Sequence, residues 1–190
     1  MRKIIEDVGG QLTNSLKRIN FMFKNEKIST ECVKNYEGFK LLGESFGPFE
    51  MGKKYKIKLF SAIPFIIHEI LEIIQSEKCD NVDVQRYAIS ERDDQKLIQT
   101  DDSLFLNKIK EFREFMKMDI KNKNKPQINL DRYNSYSVSM VDNRLFKLLK
   151  LAKTELSLDD ERRLTISEEI LFEILFKLIK NWRNFFINNE

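Results

Sequence analysis

The sequence predicts an α+β protein, mostly α, with a small N-terminal β-rich domain followed by a C-terminal helical bundle domain. Two observations lead to this class. All six glycines and two of the three prolines lie before residue 65, where they punctuate short elements. Beyond residue 76, apolar residues recur at the three-four spacing of long helices. We therefore predict two domains, residues 1–76 with an N-terminal helical extension and residues 77–190.

The composition favours a cytoplasmic chain that works through protein partners. It has 33 Lys and Arg against 30 Asp and Glu, spread along the chain, whereas a dedicated nucleic-acid binder concentrates positive charge. The two cysteines and the single histidine form no zinc-ligand spacing. No stretch reaches the roughly 20 apolar residues that a membrane span needs, so we expect no membrane contact.

The N-terminal domain combines one helix with short strands. Apolar spacing predicts an amphipathic helix over residues 11–24, and Gly9–Gly10 is interpreted as a turn. Strands are predicted at Phe39–Leu42 and Lys54–Leu59. In the second strand lysines alternate with apolar residues, so one face is expected to be buried and the other wet.

Helices fill the rest of the prediction. The run Phe65–Ile74 has helical periodicity, with Pro64 near the first turn, where its missing N–H costs nothing. After a linker at Gln75–Val82, one helix begins at Ser103 and another spans about Ser137–Thr154. The expected core side of this last helix consists of Val141, Leu145, Leu148 and Leu149.

The final helix has the clearest start signal in the chain. Thr165 and Glu168 match a capping box, which predicts a helix over Ile166–Ile187. This helix is more apolar than a one-sided bundle helix needs, so it lies either at the centre of its domain or against another subunit. The expected interface residues are Ile170, Leu171, Ile174, Leu175, Leu178, Ile179, Trp182, Phe185 and Phe186.

No pattern in the sequence specifies an enzyme. Motifs for nucleophiles and phosphate loops are absent, and His68 is expected to be a partly buried structural histidine. The carboxylates at Asp93–Asp94, Asp101–Asp102 and Asp159–Glu161 could ligate magnesium, but each group precedes an apolar segment and is better explained as a helix start. We expect no catalytic residue, metal or cofactor. The first alternative function is a single-stranded nucleic-acid-binding accessory protein, and the second is a metal-dependent enzyme that uses Asp93 and Asp94.

A lysine-rich strand is a candidate nucleic-acid contact. Lysines on the face of a strand could meet phosphates while an aromatic ring stacks on a base. Lysines on an edge strand also block strand-to-strand aggregation, and this second interpretation is favoured. The residues concerned are Lys53, Lys54, Tyr55, Lys56 and Lys58.

Two segments carry a resemblance to a known family. The first places a strand before Gly47-Pro48-Phe49, then the basic pair Gly52-Lys53, then a strand that ends at Leu59 and a helix with Ala62 near its start. This order resembles the small β domain of GINS subunits, although Phe60-Ser61 stands where the family often has a proline-tryptophan pair. The closing part of the chain, Leu164 to Phe172 with Trp182 to Phe186, also looks like the end of the family's helical domain.

Because the β-like part comes first, the chain resembles the archaeal subunit related to the second and third eukaryotic Psf subunits. The resemblance implies a non-catalytic DNA replication factor that forms a 2:2 heterotetramer with the GINS subunit of opposite domain order. It further implies contacts with the MCM helicase, a RecJ-like or Cdc-type protein and primase. DNA contact would be weak or indirect, and the protein would be nucleoid-associated in the cytoplasm.

Overall fold

The computed structural model describes residues 2–41 and 43–187. It is α+β and 63% helical, with a small sheet region in the N-terminal half and helices toward the C-terminus, which confirms the prediction of an α+β, mostly α chain. The elements in chain order are α1 (Arg2–Asn25), β1 (Lys27–Cys32), β2 (Phe39–Leu41), β3 (Glu44–Phe46), β4 (Lys54–Lys58), α2 (Leu59–Ile67), β5 (Leu71–Ile73), a 3-10 turn (Gln75–Glu77), α3 (Asn81–Asp93), α4 (Phe105–Lys121), α5 (Gln127–Leu151), α6 (Leu158–Glu161) and α7 (Ile166–Ile187).

The chain divides into two compact units. Residues Phe21–Lys78 form the first, here called the β unit, which contains all the strands of the described residues. Residues Met1–Asn20 and Cys79–Glu190 form the second, here called the helical unit. Most of α1 therefore belongs to the helical unit, although the rest of that unit follows the β unit in sequence.

A three-stranded antiparallel sheet in the order β4-β1-β5 forms the centre of the β unit. Alternate residues of β1 are buried, which places Ile28, Thr30 and Cys32 on the covered face. The strand predicted at Lys54–Leu59 is confirmed as far as Lys58, and its lysines are exposed while the intervening residues are half-buried. The period of two therefore identified the wet face correctly.

The helix predicted over Phe65–Ile74 is wrong at both ends. The helix α2 begins already at Leu59, so Pro64 lies in its interior and leaves the helix one backbone donor short. Beyond the end of α2, Glu69 has a positive φ of 55°, and Leu71–Ile73 pair with β1. Leucine and isoleucine suit a strand as well as a helix, and the open edge of β1 supplies the hydrogen bonds that decide for a strand.

The hairpin of β2 and β3 requires glycine at two places where backbones touch. Gly38 and Gly47 have φ values of 86° and 96°, and a Cβ built on Gly47 would lie 2.8 Å from the Cα of Gly38. No larger residue fits this approach without displacing the backbone. The strand predicted at Phe39–Leu42 agrees with β2, and its last residue, Leu42, lies outside the described residues.

The first helix is longer than the predicted helix over residues 11–24. The turn predicted at Gly9 and Gly10 is wrong, because both residues lie inside α1. Each glycine costs about 1 kcal/mol relative to alanine in a helix. Breaking the helix there would cost a second nucleation, because each new helix must fix a first turn before it gains hydrogen bonds. The helix therefore continues through the pair.

Helix α3 lies in a region that the sequence pattern left without an element. Its start is a capping box, in which Asp80 accepts two backbone N–H groups and Asp83 accepts the N–H of Asp80 at 3.1 Å. Only three of its residues are buried, so it lacks the broad apolar stripe that marks a helix in a sequence. Asp93 and Asp94 lie at its carboxyl end, so the helix-start interpretation is wrong for this pair.

Helix α5 begins before the predicted Ser137, and the predicted core side is largely wrong. Of the four expected core residues only Leu148 is buried, while the other three, Val141, Leu145 and Leu149, are 38–46% exposed. The inward face instead carries two basic residues, because acidic partners on other helices meet them. The buried residues of α5 are Tyr133, Met140, Arg144, Lys147 and Leu148.

The bounds predicted for the last helix, Ile166–Ile187, are confirmed. Glu168 Oε2 accepts the backbone N–H of Thr165 at 2.9 Å, which is one half of the predicted capping box, and the Thr165 hydroxyl donates to the same oxygen. Phe172 joins this helix to the core of the helical unit. The other buried members of that core cluster are Leu97, Leu148, Ala152 and Leu164.

Candidate functional site

The first half of α7 is part of the fold of the helical unit. Leu171, Leu175 and Ile179 pack against the buried core cluster, and Ile170 and Ile174 are half-buried. These five residues of the predicted interface are thus at least partly occupied by contacts within the chain.

The second half of α7 presents an exposed apolar surface, here called the distal α7 surface. It consists of Leu178, Trp182, Phe185 and Phe186, whose exposed fractions are 54%, 66%, 68% and 64%. Their three-four spacing puts all four on one side of the helix. Ring centroids of Trp182 and Phe186 lie 5.1 Å apart, as do those of Phe185 and Phe186. The rings therefore contact each other while remaining open to solvent.

The distal α7 surface is exposed because it lies on the side of α7 that faces away from the loop after α5. Near its start α7 is bonded to α5 through Glu168 and Arg144, but α5 ends at Leu151. Farther along, Arg183 Nη1 reaches only the carbonyl of Lys153, at 3.4 Å, in the loop after α5. The loop covers the opposite side of α7, where a cavity of about 330 Å³ lies between the two. The distal α7 surface thus lies on the side of the helix that this loop leaves uncovered.

Helix α5 carries a second exposed apolar stripe. Val138, Val141, Leu145 and Leu149 recur at helical spacing and are between 38% and 60% exposed. Val141 and Leu145 also line an apolar cavity of about 220 Å³. Other residues that line this cavity include Leu12 and Leu16 of α1 and Leu171 of α7. The sequence pattern found this stripe but placed it in the core.

A network of four buried charges fixes α7 to α3 and α5. Arg144 Nε donates to Glu168 Oε1 at 2.6 Å, and its Nη1 donates to Glu91 Oε2 at 2.7 Å. Lys147 Nζ lies 2.5 Å from Glu91 Oε1. All four side chains are at most 10% exposed. Because two positive charges meet two negative charges, the network is neutral.

The same network holds two connecting segments in place. Arg144 donates to the carbonyls of Ile98 and Arg163, and Lys147 donates to the carbonyl of Lys96 at 2.8 Å. Burial by itself would lower the pKa of Arg144, but the hydrogen bonds and charges of Glu168 and Glu91 raise it above the ordinary value. This arrangement has no donor left for a substrate, so its role is to position helices. In the sequence, the signal for this network is that Arg144 and Lys147 lie among the apolar residues of α5.

Comparison with known proteins does not identify the chain. The sequence matches no model of a protein family, and it matches no curated protein at a significant level. No helix within residues 2–41 and 43–187 combines the length and apolarity needed to cross a membrane.

The candidate catalytic groups do not converge. Asp93 is exposed and bonded to Arg92, and Asp101 accepts a hydrogen bond from the hydroxyl of Tyr87. Within the described ranges, no group of three or more His, Cys, Asp or Glu residues could hold a metal ion. His68 is exposed at the end of α2, so the expectation of a partly buried histidine is wrong.

The lysine strand separates its lysines from its aromatic residue. Lys54, Lys56 and Lys58 are exposed on one face of β4, while Lys53 precedes the strand and pairs with Glu50 at 2.7 Å. Tyr55 points to the other face, where its ring lies 4.9 Å from that of Phe49 and its hydroxyl accepts the N–H of Glu50. The structure therefore does not bring Tyr55 together with the lysines. Across the strands, Lys58 is paired with Lys27, which extends the basic face, whereas Lys54 is paired with Glu31.

Proposed function

We propose that this chain is a non-catalytic assembly subunit that associates with another subunit through the distal α7 surface. The observation that carries the proposal is the exposure of Leu178, Trp182, Phe185 and Phe186 on one side of a helix. Monomeric proteins rarely expose contiguous apolar patches of this kind without a partner or ligand. The aromatic content also matches the composition of interface centres.

The free energy gained by burying the distal α7 surface is large enough for specific association. Burying a large apolar side chain contributes about 1.5–3 kcal/mol relative to leaving it in water. Trp182, Phe185 and Phe186 are each more than three-fifths exposed, so most of that contribution is still available. The buried charges at Arg144 and Glu168 hold the first turns of α7 in place, so the helix is already ordered before a partner binds.

The resemblance described above supplies the identity of the partner in this proposal. It suggests a subunit of the archaeal GINS type, in a 2:2 heterotetramer with the GINS subunit of opposite domain order. The complex would then act in DNA replication by holding the MCM helicase and a RecJ-like or Cdc-type protein in an active arrangement, with primase as a further contact. Binding energy directed at one arrangement shifts the conformational population toward it.

Co-purification tests the proposal directly. We expect co-expression with the partner GINS subunit to give a 2:2 complex by size-exclusion chromatography with light scattering. Leu178→Glu should abolish this complex while leaving the circular dichroism spectrum unchanged, because Leu178 is 54% exposed. The matched control is Leu158→Glu on α6, which is 76% exposed and outside the surface, and it should keep the complex.

A second variant separates assembly from folding. Leu175 packs against the core cluster, so Leu175→Glu should lower the thermal stability of the chain itself. A stable soluble monomer that ignores the partner subunit would contradict the proposal, as would a complex that tolerates Leu178→Glu.

The second candidate function is binding of single-stranded nucleic acid by the β unit. It is favoured by the exposed basic face of Lys27, Lys54, Lys56 and Lys58. Four phosphate contacts would give a slope of about −3 for the logarithm of affinity against that of salt concentration. Binding of a labelled oligonucleotide to the chain alone, measured at several salt concentrations, tests this function. Absent or salt-insensitive binding rules it out.

A further inference from the structure

The β unit contains a cavity lined mainly by aromatic side chains. Its volume is about 610 Å³, within the range of about 300–1,000 Å³ typical of ligand sites. The segment after β1, the β2–β3 hairpin and α2 all contribute to its walls. The lining residues that matter here are Tyr36, Phe39, Phe46, Phe60, Phe65 and Lys34.

The aromatic lining is built on a fixed base. Phe65 is 6% exposed, and its ring centroid lies 5.6 Å from that of Tyr36 and 6.4 Å from that of Phe46. Phe39 and Phe46 are stacked across the hairpin at 5.3 Å. In contrast, Phe39 and Phe60 are 44% and 50% exposed. The cavity thus has a packed base, while two rings from different elements remain open to solvent.

The charged side chain that lines the cavity is that of Lys34. His68 also lines it, and no acidic side chain of the described residues does. Within the part of the chain that the structure describes, Lys34 forms no ion pair, so its charge remains available to a ligand. An acidic group is the complement of such a rim, and a large apolar group is the complement of the rings.

We propose that this cavity binds a short acidic peptide segment of a partner protein. The segment inserts an aromatic or large aliphatic side chain among Phe39, Phe60 and Phe65, and it places an Asp or Glu carboxylate beside Lys34. The volume exceeds that of one aromatic side chain, so the neighbouring residue of the peptide also enters the cavity. This site shares no residue with the distal α7 surface and does not depend on the assembly function proposed above.

The test is a selection of peptides against the whole chain. A random dodecapeptide library displayed on phage is panned on the immobilised protein, and enriched peptides are synthesised with a fluorescent label for anisotropy measurements. We expect enriched sequences to combine an aromatic or large aliphatic residue with nearby Asp or Glu. Replacing those acids with Asn and Gln should weaken binding about tenfold.

Matched variants locate the binding in the cavity. Phe60→Ala should weaken the affinity about thirtyfold, as expected for an aromatic anchor contact. Ile67→Ala is the control, because Ile67 lies on the same helix and is equally exposed, at 51%, but does not line the cavity. Lys34→Glu should weaken binding about tenfold, whereas Lys56→Glu on the lysine face should not.

Several results would overturn the proposal. These are the absence of enrichment, enrichment of neutral or basic peptides, and equal effects of Phe60→Ala and Ile67→Ala. Concentration-dependent self-association that is lost in Phe60→Ala would show that a second copy of this chain fills the cavity instead. Leu178→Glu disrupts the distal α7 surface but not the cavity, so peptide binding should persist in this variant. The result for the cavity is therefore independent of whether the assembly function is confirmed.

Discussion

Replacing Arg144 with methionine removes the centre of the buried charge network. The guanidinium donates three hydrogen bonds to carboxylate oxygens, two to Glu168 and one to Glu91. It also donates to the backbone carbonyls of Ile98 and Arg163. Methionine fills a similar volume but satisfies none of these acceptors. Arg144→Met therefore tests the charges while largely preserving the packing.

The expected loss of stability depends on which hydrogen-bond donors Glu91 and Glu168 retain in Arg144→Met. Glu91 retains Lys147, and Glu168 retains the N–H and hydroxyl of Thr165, so neither carboxylate is left without a donor. Removing one member of a buried ion pair typically costs about 3–5 kcal/mol. We expect Arg144→Met to lower the free energy of unfolding by about 4 kcal/mol. For a chain of this size, this corresponds to a fall in Tm of about 8–16 °C.

The assay is urea and thermal unfolding followed by far-UV circular dichroism. Lys177→Met is the surface control, because its pair with Glu173 is 3.4 Å long and both side chains are at least 70% exposed. It should change the free energy of unfolding by less than about 0.5 kcal/mol. The double variant Arg144→Met/Glu168→Gln should be less destabilised than the sum of the two single changes, because the glutamine is neutral and still accepts at the helix start.

The reasoning would be refuted if Arg144→Met were no more destabilising than Lys177→Met. Strict additivity in the double variant would also contradict it, because it would mean that the charges of Arg144 and Glu168 do not interact.

Two further predictions concern glycines and a thiol. Gly47→Ala should destabilise the β unit strongly, since the added Cβ would lie 2.8 Å from Gly38. Gly10→Ala, inside α1 where a Cβ meets no other atom, should instead stabilise the chain by about 0.5–1 kcal/mol. Urea unfolding measures both changes, and equal effects on the free energy of unfolding would contradict the glycine argument. Burial raises the pKa of the Cys79 thiol to about 11. In a Cys32→Ala background, alkylation of Cys79 should therefore be slow in the native protein at pH 8 and accelerate only as the pH approaches 11. Rapid alkylation of the native protein at pH 8 would contradict this prediction.

The same raised pKa determines a pH dependence of stability. The unfolded thiol loses its proton near its ordinary value of 9.0, whereas the folded thiol keeps it until about pH 11. Between these values the folded state holds more protons, so the contribution of Cys79 to stability is complete below pH 9 and is lost as the pH rises toward 11.

Sequence patterns predicted elements where local signals were strong and agreed with each other. The bounds of α7 and the wet face of β4 were predicted correctly because a capping pair and a strict alternation act within a few residues. The sequence patterns missed β1 and β5, which form hydrogen bonds with each other, and in the case of β1 also with β4. They also missed α3, because its few buried residues form no apolar stripe. Gly9 and Gly10 were predicted wrongly because the continuity of the surrounding helix overrides a local penalty.

The candidate sites were predicted less completely than the fold. The nine interface residues chosen from the apolar periodicity of α7 include the distal α7 surface, but periodicity cannot show where the packing partner of a helix ends. The lysine strand was found, yet the position of Tyr55 on the covered face removed it from the basic surface. The aromatic cavity of the β unit was not predicted, since it forms only where residues 34–46 pack beside α2.

The sequence by itself determined the apolar stripe of α7, the start of that helix at Thr165 and the exposure of the lysines on β4. These features depend on periods of 3.6 and two residues and on contacts between near neighbours, so residues close together in sequence are enough to determine them. Only the tertiary structure decided which half of the stripe is buried, and that Arg144 and Lys147 face inward. Burial depends on which distant segment lies alongside, and the charge of Arg144 is stable there because Glu91 and Glu168 from other helices meet it.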